Sequence, residues 1–368
     1  MIVRDQLYGT IEFNELEKRI IDSSDFQRLR MIKQMSFTNL VYPGANHTRF
    51  EHSLGTAHLS HIIAKRLGIE EELISQIKIY GLLHDIGHTA FSHEGEDVLE
   101  RYIGHHEELG KKKVINGEIG ELLSENYNPK KIMELGKTKE GSIIESDVGA
   151  DRMDYLKRDA LNTGVAYGVI DIDRITHTLV FSKKELVLKE GGLEAAESLL
   201  LARFMMFSAV YLHSTVRIAT ALLYRAIINA VEDGTITADE FSRMGDYEAM
   251  DAMKKSKKAK QYVDALVQRK LYKQAAAYPG SWKTPEECKE LEQRLSKELD
   301  TDIIIDYPHS FFKPINVKVM KNGRVIPITE ISELIQSVKS SSEKRKSTLV
   351  LCPKKEIPEL QKKLGTIE

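Results

Sequence analysis

Residues 81–93, GLLHDIGHTAFSH, end an apolar helical run with four strong polar side chains: His84, Asp85, His88 and His93. A buried helix end tolerates such groups only where a metal ion, a hydrogen-bond network or solvent satisfies them. Unless the group simply lies at the surface, the fold has to bring partners to this point from elsewhere in the chain. Nine of the twelve histidines lie between His47 and His106, the others being His177, His213 and His309. Any chemistry is expected to centre on that window.

The surrounding pattern is helical. Residues 14–42 carry apolar side chains at three- and four-residue intervals, up to the turn signal YPGAN at 42–46. A second helix is predicted from about Arg49 to Leu67, stopped by Gly68. A third runs from about Glu70 to Ile86, with Leu73, Ile74, Ile77, Leu82, Leu83 and Ile86 as its apolar face. Residues 94–140 read as helical and more polar, and a helix with a rich polar face follows from about Asp147 to Arg158. The period changes at 178–189, where LVFSKKELVLK reads as a hairpin. Residues 193–231 form a long amphipathic stretch, and 235–300 are helical and charged. The tail alternates in DIIIDYP, INVKVMKNGRVIPITE and STLVLCP. It suggests three or four strands, a helix at about Glu330 to Ser340, and a hairpin turn at the NG of 322–323. The expected class is mainly α: a helical core over 1–235, a helical extension over 236–300 and a small α+β lobe over 301–368.

Composition narrows the function classes. At 42% hydrophobic and 29% charged residues the chain is of globular type, and a net charge of −2 exerts no global pull on nucleic acid or anionic membrane. An anionic ligand must then meet a local basic pocket. The basic runs KKSKKAK (254–260) and SEKRKS (342–347) read first as solvated faces, with nucleic-acid binding as a secondary property. Two distant cysteines, Cys288 and Cys352, form no metal-ligand spacing and fit a reducing compartment. No apolar run approaches a membrane span, and MIVRDQLYGTIEF lacks the apolar stretch of a signal peptide. A cytoplasmic protein with no membrane partner is expected.

Adjacent helical residues point about 100° apart, so His84 and Asp85 can reach one ion only where the helix ends, and Gly87 supplies an end. His88 shares the face of His84. Imidazole with carboxylate suits Zn, Fe, Mn or Ni. Further ligands must come from distant segments: His52 of HTRFEHS on the preceding helix, and Asp151 or Asp147 of ESDVGADRMDYLKRD. Asp151, Tyr155 and Asp159 align at four-residue spacing, and Arg152 and Arg158 offer positive charge to phosphate; taken alone, this is a charged helix face. Arg203, Tyr211 and His213 are polar residues in the core-like segment RFMMFSAVYLHSTVR, where Tyr211 alone reads as a satisfied core tyrosine.

Together, HTRFEHSLG, GLLHDIGHTAFSH and DRMDYLKRDALNTG resemble the HD-domain deoxynucleoside triphosphate triphosphohydrolases, in the architecture of the animal SAM- and HD-domain members without the SAM domain. RDQLYGTIEF, IIDSSDFQRLRMIKQM and the tail segments IIIDYP and PINVKV extend the likeness over most of the chain; 235–300 matches least. The resemblance implies an HD-domain helical core with His52, His84, Asp85 and Asp151 as ligands of a divalent ion (Mn, Fe, Zn, Ni or Mg), and a further Mg carried by the nucleotide. It implies phosphate contacts from Arg49, Arg152 (where the family usually has lysine) and Arg203. Tyr155 and Asp159 would face the nucleotide, Gln34, Met35 and Tyr211 would line the sugar end, and His213 is a further substrate-binding candidate. His88 and His93 would lie beside the scissile bond, with His106, or its neighbour His105, as the catalytic histidine and Glu96 orienting an imidazole. The implied reaction is hydrolysis of a deoxynucleoside triphosphate at the α-phosphate to deoxynucleoside and tripolyphosphate. A different HD-type phosphohydrolase or phosphodiesterase is the main alternative, and a non-catalytic nucleotide sensor or nucleic-acid binder a lesser one. Asp22, Gln27 and Arg30 match part of the family's activator pocket, although Arg4 replaces an expected asparagine. A homo-oligomer, dimer or tetramer, is also implied, with the 199–216 segment as core or interface.

Overall fold

The computed structural model describes residues 1–183, 185–280, 282–307 and 314–366; Lys184 of the expected hairpin turn, His309, and the side chains of Glu343 and Lys344 in the SEKRKS run lie outside them. Among the described residues helices dominate, with three small sheets. At the centre, helices Arg49–Arg66 and Glu71–Leu83 pack against each other. The first starts where the Glu51 carboxylate accepts the Thr48 amide at 2.8 Å and stops at Gly68 with φ +69°. Their close approach needs Gly81, because a β-carbon there would lie 2.9 Å from the Ala57 α-carbon. Ile63, Ile77, Leu82 and Leu83 are almost wholly buried between them and their neighbours. Each such side chain stabilises the fold by roughly 1.5–3 kcal/mol.

Several elements depart from the local pattern. The helical period of 14–42 resolves into a helix at Glu15–Asp22 and short turns at Ser24–Gln27, Arg28–Met31 and Ser36–Leu40. Ser23 is extended (φ −63°, ψ 150°) and turns its hydroxyl onto the Ile20 carbonyl, ending the helix. Residues 32–34 then lie alongside 47–49: the Arg49 amide bonds Ile32 O at 3.0 Å, and the Gln34 amide bonds His47 O at 3.0 Å. The 94–140 segment divides into helices His93–Ile103, His106–Asn116, Glu118–Ser124 and Pro129–Met133. The helix expected near 147 begins later, as Ala150–Thr163. The 193–231 stretch is two helices, Leu193–Met206 and Ser214–Glu232, separated by a π-helical turn at Phe207–Tyr211 and a bend of 65°. Leu199, Leu200, Val210 and Val216 are buried in the core.

Hairpin strands Ile2–Asp5 and Gly9–Glu12, too short to show a period, form the first sheet. In the second, Leu179–Ser182 pairs antiparallel with Glu185–Lys189, which runs parallel to Lys318–Lys321, and Arg324–Pro327 completes it. Asn322 and Gly323 take φ +50° and +73°, as a tight hairpin turn requires. The third sheet places Ser347–Cys352 between Lys273–Pro279 and Ile304–Asp306. Lys273–Pro279 lies in the 235–300 region read as helical and charged; pairing with the apolar strand TLVLC overrides the helix propensity of its alanines.

The buried clusters run across positions 235 and 300. One joins residues 11–210 to Val317, Val319, Ile328 and Ile335. Another joins Ala90, Phe91, Val98 and Leu99 to the 218–271 helices and to Leu349 and Leu351. The third contains both cysteines, free and buried. Among the described residues no single helix is long and apolar enough to cross a membrane.

Candidate active site

The ends of the two central helices meet the start of Ala150–Thr163. His52 Nε2 lies 3.1 Å from Asp151 Oδ1 and 3.6 Å from Asp85 Oδ2, while His84 Nε2 lies 3.5 Å from Asp85 Oδ1 and 3.8 Å from Asp151 Oδ1. Ligand atoms of His52, His84 and Asp85 fall within 4.8 Å of one another. Both Nε2 atoms are buried and lack a partner in hydrogen-bond geometry among the described residues. Their other nitrogens are engaged: His84 Nδ1 donates to Gly81 O at 2.9 Å, and His52 Nδ1 meets Asp154 Oδ2 at 2.8 Å. These bonds orient each imidazole with its Nε2 facing the carboxylates, as metal-ligating histidines are held. Burial opposes a charge on His52, but Asp151 and Asp154 outweigh it and push the imidazole up to about 10. A cation is what this cluster calls for, and the donor set of two imidazoles and two carboxylates fits a divalent metal. The alternative carboxylate, Asp147, faces elsewhere.

Asp154 is itself built in. Arg158 donates Nε and Nη2 to its two oxygens at 2.9 and 2.8 Å, and Nη1 to Asp5 Oδ2 at 2.9 Å. Gly55 makes room for this pair: a β-carbon there would sit 1.9 Å from Asp154 Oδ1.

A second cluster adjoins the first through His88, whose Nε2 is 3.3 Å from Asp85 Oδ1. His88 is wholly buried, stacks on His106 with centroids 3.9 Å apart, and meets His93 edge-on at 4.7 Å. Glu96 ties these rings together, accepting from the His106 amide at 2.8 Å and lying 2.8 and 2.9 Å from His106 Nδ1 and 3.3 Å from His93 Nδ1. Burial would raise its pKa, but hydrogen bonds from His106 and His93 prevail and hold the carboxyl far below the usual range. His105 also reaches Glu96, at 3.2 Å, yet its side chain is 61% exposed against 18% for His106. Of the two, His106 is the one that faces His88.

Arg49 is 2% exposed and donates Nε to Ser92 Oγ at 2.8 Å while Nη1 contacts Asp85 Oδ2. Arg152 and Arg203 converge on Asp147: Arg152 Nη1 contacts Asp147 Oδ1, Arg203 Nη1 lies 3.3 Å from the same oxygen, and Asp147 Oδ2 accepts the Asn316 amide at 2.6 Å. Tyr155 lies edge-on to His52 at 6.5 Å. Asp159 is 3% exposed and receives the Tyr211 hydroxyl at 2.5 Å and His47 Nε2 at 2.7 Å. Gln34 reaches this group through its backbone bond to His47, and its Oε1 is buried without a partner among the described residues; Met35 is buried beside it. His213 stands apart from the metal cluster: it caps Ser214–Glu232 by accepting the Thr215 amide and packs edge-on to Tyr42. Its helix-capping bond accounts for its place in the sequence. Asp22 pairs with Lys18, Gln27 accepts from Arg30, Arg30 lies 3.5 Å over the Phe50 ring, and Arg4 bonds Thr10, so these four have local partners.

Three participants escaped the sequence reading. Asp154 carried a usable signal, one helical turn after Asp151. His47 lay two residues before Arg49 but was one histidine among nine. Asp246, which binds the turn between His88 and His93, gave no local signal.

Residues 49–159 match the HD domain model and residues 170–367 the HD associated region. An uncharacterized protein of Methanocaldococcus jannaschii is 37% identical over 98% of this chain and 81% of its own length. The deoxynucleoside triphosphate triphosphohydrolase SAMHD1 homolog of Dictyostelium discoideum is 27% identical over 67% of this chain, which spans about half (51%) of that relative. A solved structure of a hypothetical protein from Aquifex aeolicus superposes with a TM-score of 0.84 and 31% identity over 99% of both chains. With its HD motif set on the central helices and an associated region packed around them, the chain belongs to the HD-domain phosphohydrolase family.

Proposed function

We propose that the protein hydrolyses deoxynucleoside triphosphates at the α-phosphate, releasing deoxynucleoside and tripolyphosphate. The observation that carries this reading is the junction of two clusters. A metal-type set, His52, His84, Asp85 and Asp151, shares Asp85 with a buried histidine array, His88, His93 and His106, anchored on Glu96. Similarity to the Dictyostelium triphosphohydrolase homolog supports the substrate class.

A divalent ion on the four ligands would supply Lewis-acid activation of water and of the phosphate. His52 and His84 are oriented for it through Asp154 and Gly81 O. Arg49, Arg152 and Arg203 supply positive charge to the triphosphate, and Mg accompanies the nucleotide. For Arg152 and Arg203 this means exchanging Asp147 for a phosphate oxygen. Water oxygen bonds to the α-phosphorus as the bond to the 5′ oxygen breaks. His106 or His93 gives that oxygen its proton, and the proton of the attacking water passes to solvent, from which the imidazole is reprotonated. Glu96 keeps the donating imidazole aimed. Tyr155, Asp159 and Tyr211 contact the nucleoside, with Gln34 at the sugar end. Assembly as a homo-oligomer belongs to the same reading.

A different HD-type nucleotide hydrolysis is favoured by one feature, the pairing of Arg152 and Arg203 with Asp147. Incubation with each dNTP and NTP in Mg or Mn, with chromatographic separation of products, decides. Tripolyphosphate and deoxynucleoside, lost in Asp85→Ala, are expected; mono- or diphosphate products would transfer the activity to the other class.

A further inference from the structure

The turn between His88 and His93 is conformationally costly. Phe91 and Ser92 both take positive φ, +63° and +60°, and neither is glycine. Strained backbone of this kind persists only where surrounding structure over-determines it, and it concentrates at functional sites. The turn is held from three sides. Arg28 Nη2 donates to Ile86 O at 3.0 Å and His88 O at 2.8 Å. Ser92 Oγ accepts from Arg49 and donates to Lys33 O at 2.7 Å. The third hold comes from the HD-associated region. Asp246 Oδ1 accepts the Phe91 amide at 2.8 Å, and its Oδ2 accepts the Lys33 amide at 3.0 Å, across 155 and 213 residues of sequence.

We propose that Asp246 is a positioning residue of the active site: it locks the strained turn carrying His88 and His93 and ties it to the Lys33–Gln34 segment at the substrate side. Asp246 is 6% exposed, so each of its oxygens satisfies a backbone donor that would otherwise be orphaned in the interior. The same region also grips the Phe91 ring, which lies between Phe37 at 5.6 Å and Phe241 at 6.3 Å. Burial pushes the Asp246 carboxyl up to about 6, so its charge is kept at a cost, as a group retained for placement rather than stability would be. None of its bonds reaches His52, His84, Asp85 or Asp151. Asp246 therefore acts on the histidine array and leaves metal capture alone.

The test uses the full chain and Asp246→Asn, which keeps shape but sets an amide NH₂ against a backbone N–H. Amide exchange at Phe91 and Lys33 should rise at least ~10-fold with the Ser214–Glu232 helix unchanged. Mn²⁺ affinity, measured by calorimetry, should stay within about two-fold of wild type. The kinetic arm rests on the proposed triphosphohydrolase reading: kcat should fall ~10–100-fold with KM nearly constant. Unchanged exchange at Phe91 with unchanged kcat overturns the assignment. So does a loss of kcat that appears only with faster exchange throughout the chain or weakened Mn²⁺ binding. If Asp246→Asn does not fold, Asp246→Glu, which displaces the carboxylate, gives the same comparison. If wild type turns over no nucleotide, the proposed function fails, while local exchange at Phe91 still decides the role of Asp246.

Discussion

Asp154 Oδ2 stands 2.8 Å from His52 Nδ1, and Arg158 holds the same carboxylate from its far side. The candidate metal ligand is thus fixed by a buried ion pair that continues to Asp5 in the N-terminal hairpin. Carboxylates in this position typically contribute ~10–100-fold to metal affinity. Asp154→Asn should lower Mn²⁺ affinity by about that factor. Equilibrium dialysis with metal analysis reads it, and wild-type affinity would remove Asp154 from the role.

Gly55 leaves no space for a methyl group beside that ion pair, with Asp154 Oδ1 and Arg158 Nη2 only 1.9 and 2.5 Å from the site of a β-carbon. Gly55→Ala should cost about 1–3 kcal/mol of stability and abolish the thermal stabilisation that Mn²⁺ confers. Gly68→Ala is the control. Its φ of +69° is strained for alanine, but nothing lies within 4 Å. It should lower the unfolding temperature and leave the metal-induced shift intact.

Glu96 accepts from His106 and His93 and makes no hydrogen bond to His52, His84, Asp85 or Asp151. Under the proposed reaction, Glu96→Gln should slow turnover ~10²–10⁴-fold while Mn²⁺ binding is retained. Parallel loss of both would show that the two clusters form one structural unit.

Asp246 also makes a pH prediction. Burial raises its carboxyl to about 6, so the folded chain takes up this proton more readily than the unfolded chain. Its contribution to stability is therefore full below the ordinary aspartate pKa and lost as pH rises through about 6. Lys33, Arg49, Arg28 and Glu94 also face it, and burial lifts Glu94 to about 7 with the same sign. Because Glu94 remains in both proteins, the difference between wild type and Asp246→Asn reports Asp246 together with its coupling to Glu94, which has the same sign. Urea midpoints at pH 4.5 and 7.5 should show wild type losing stability relative to the variant at the higher pH.

The two central helices and the polar end at His84 and Asp85 were legible from residue order, while the grouping with His52 and Asp151 was implied by the family resemblance. Helical period reports which face is buried, and polar ligands at a helix end announce an unmet need. Where the chain breaks was less legible. Residues 14–42 have a helical period, yet Ser23 and the pairing of 32–34 with 47–49 divide them. The AAA run before Tyr278 favours helix until the 347–352 strand offers it a ladder.

Sequence alone determined the helical class and the histidine-rich window, because each rests on local spacing, while the metal-ligand set was an expectation drawn from the family resemblance. Only the tertiary structure decided that Asp151 rather than Asp147 faces the imidazoles, that His106 rather than His105 stacks on His88, and that Asp154, His47 and Asp246 join the site. Such pairings join groups 102, 112 and 155 residues apart. They are set by how helices pack and where buried donors need acceptors, and no local period encodes that.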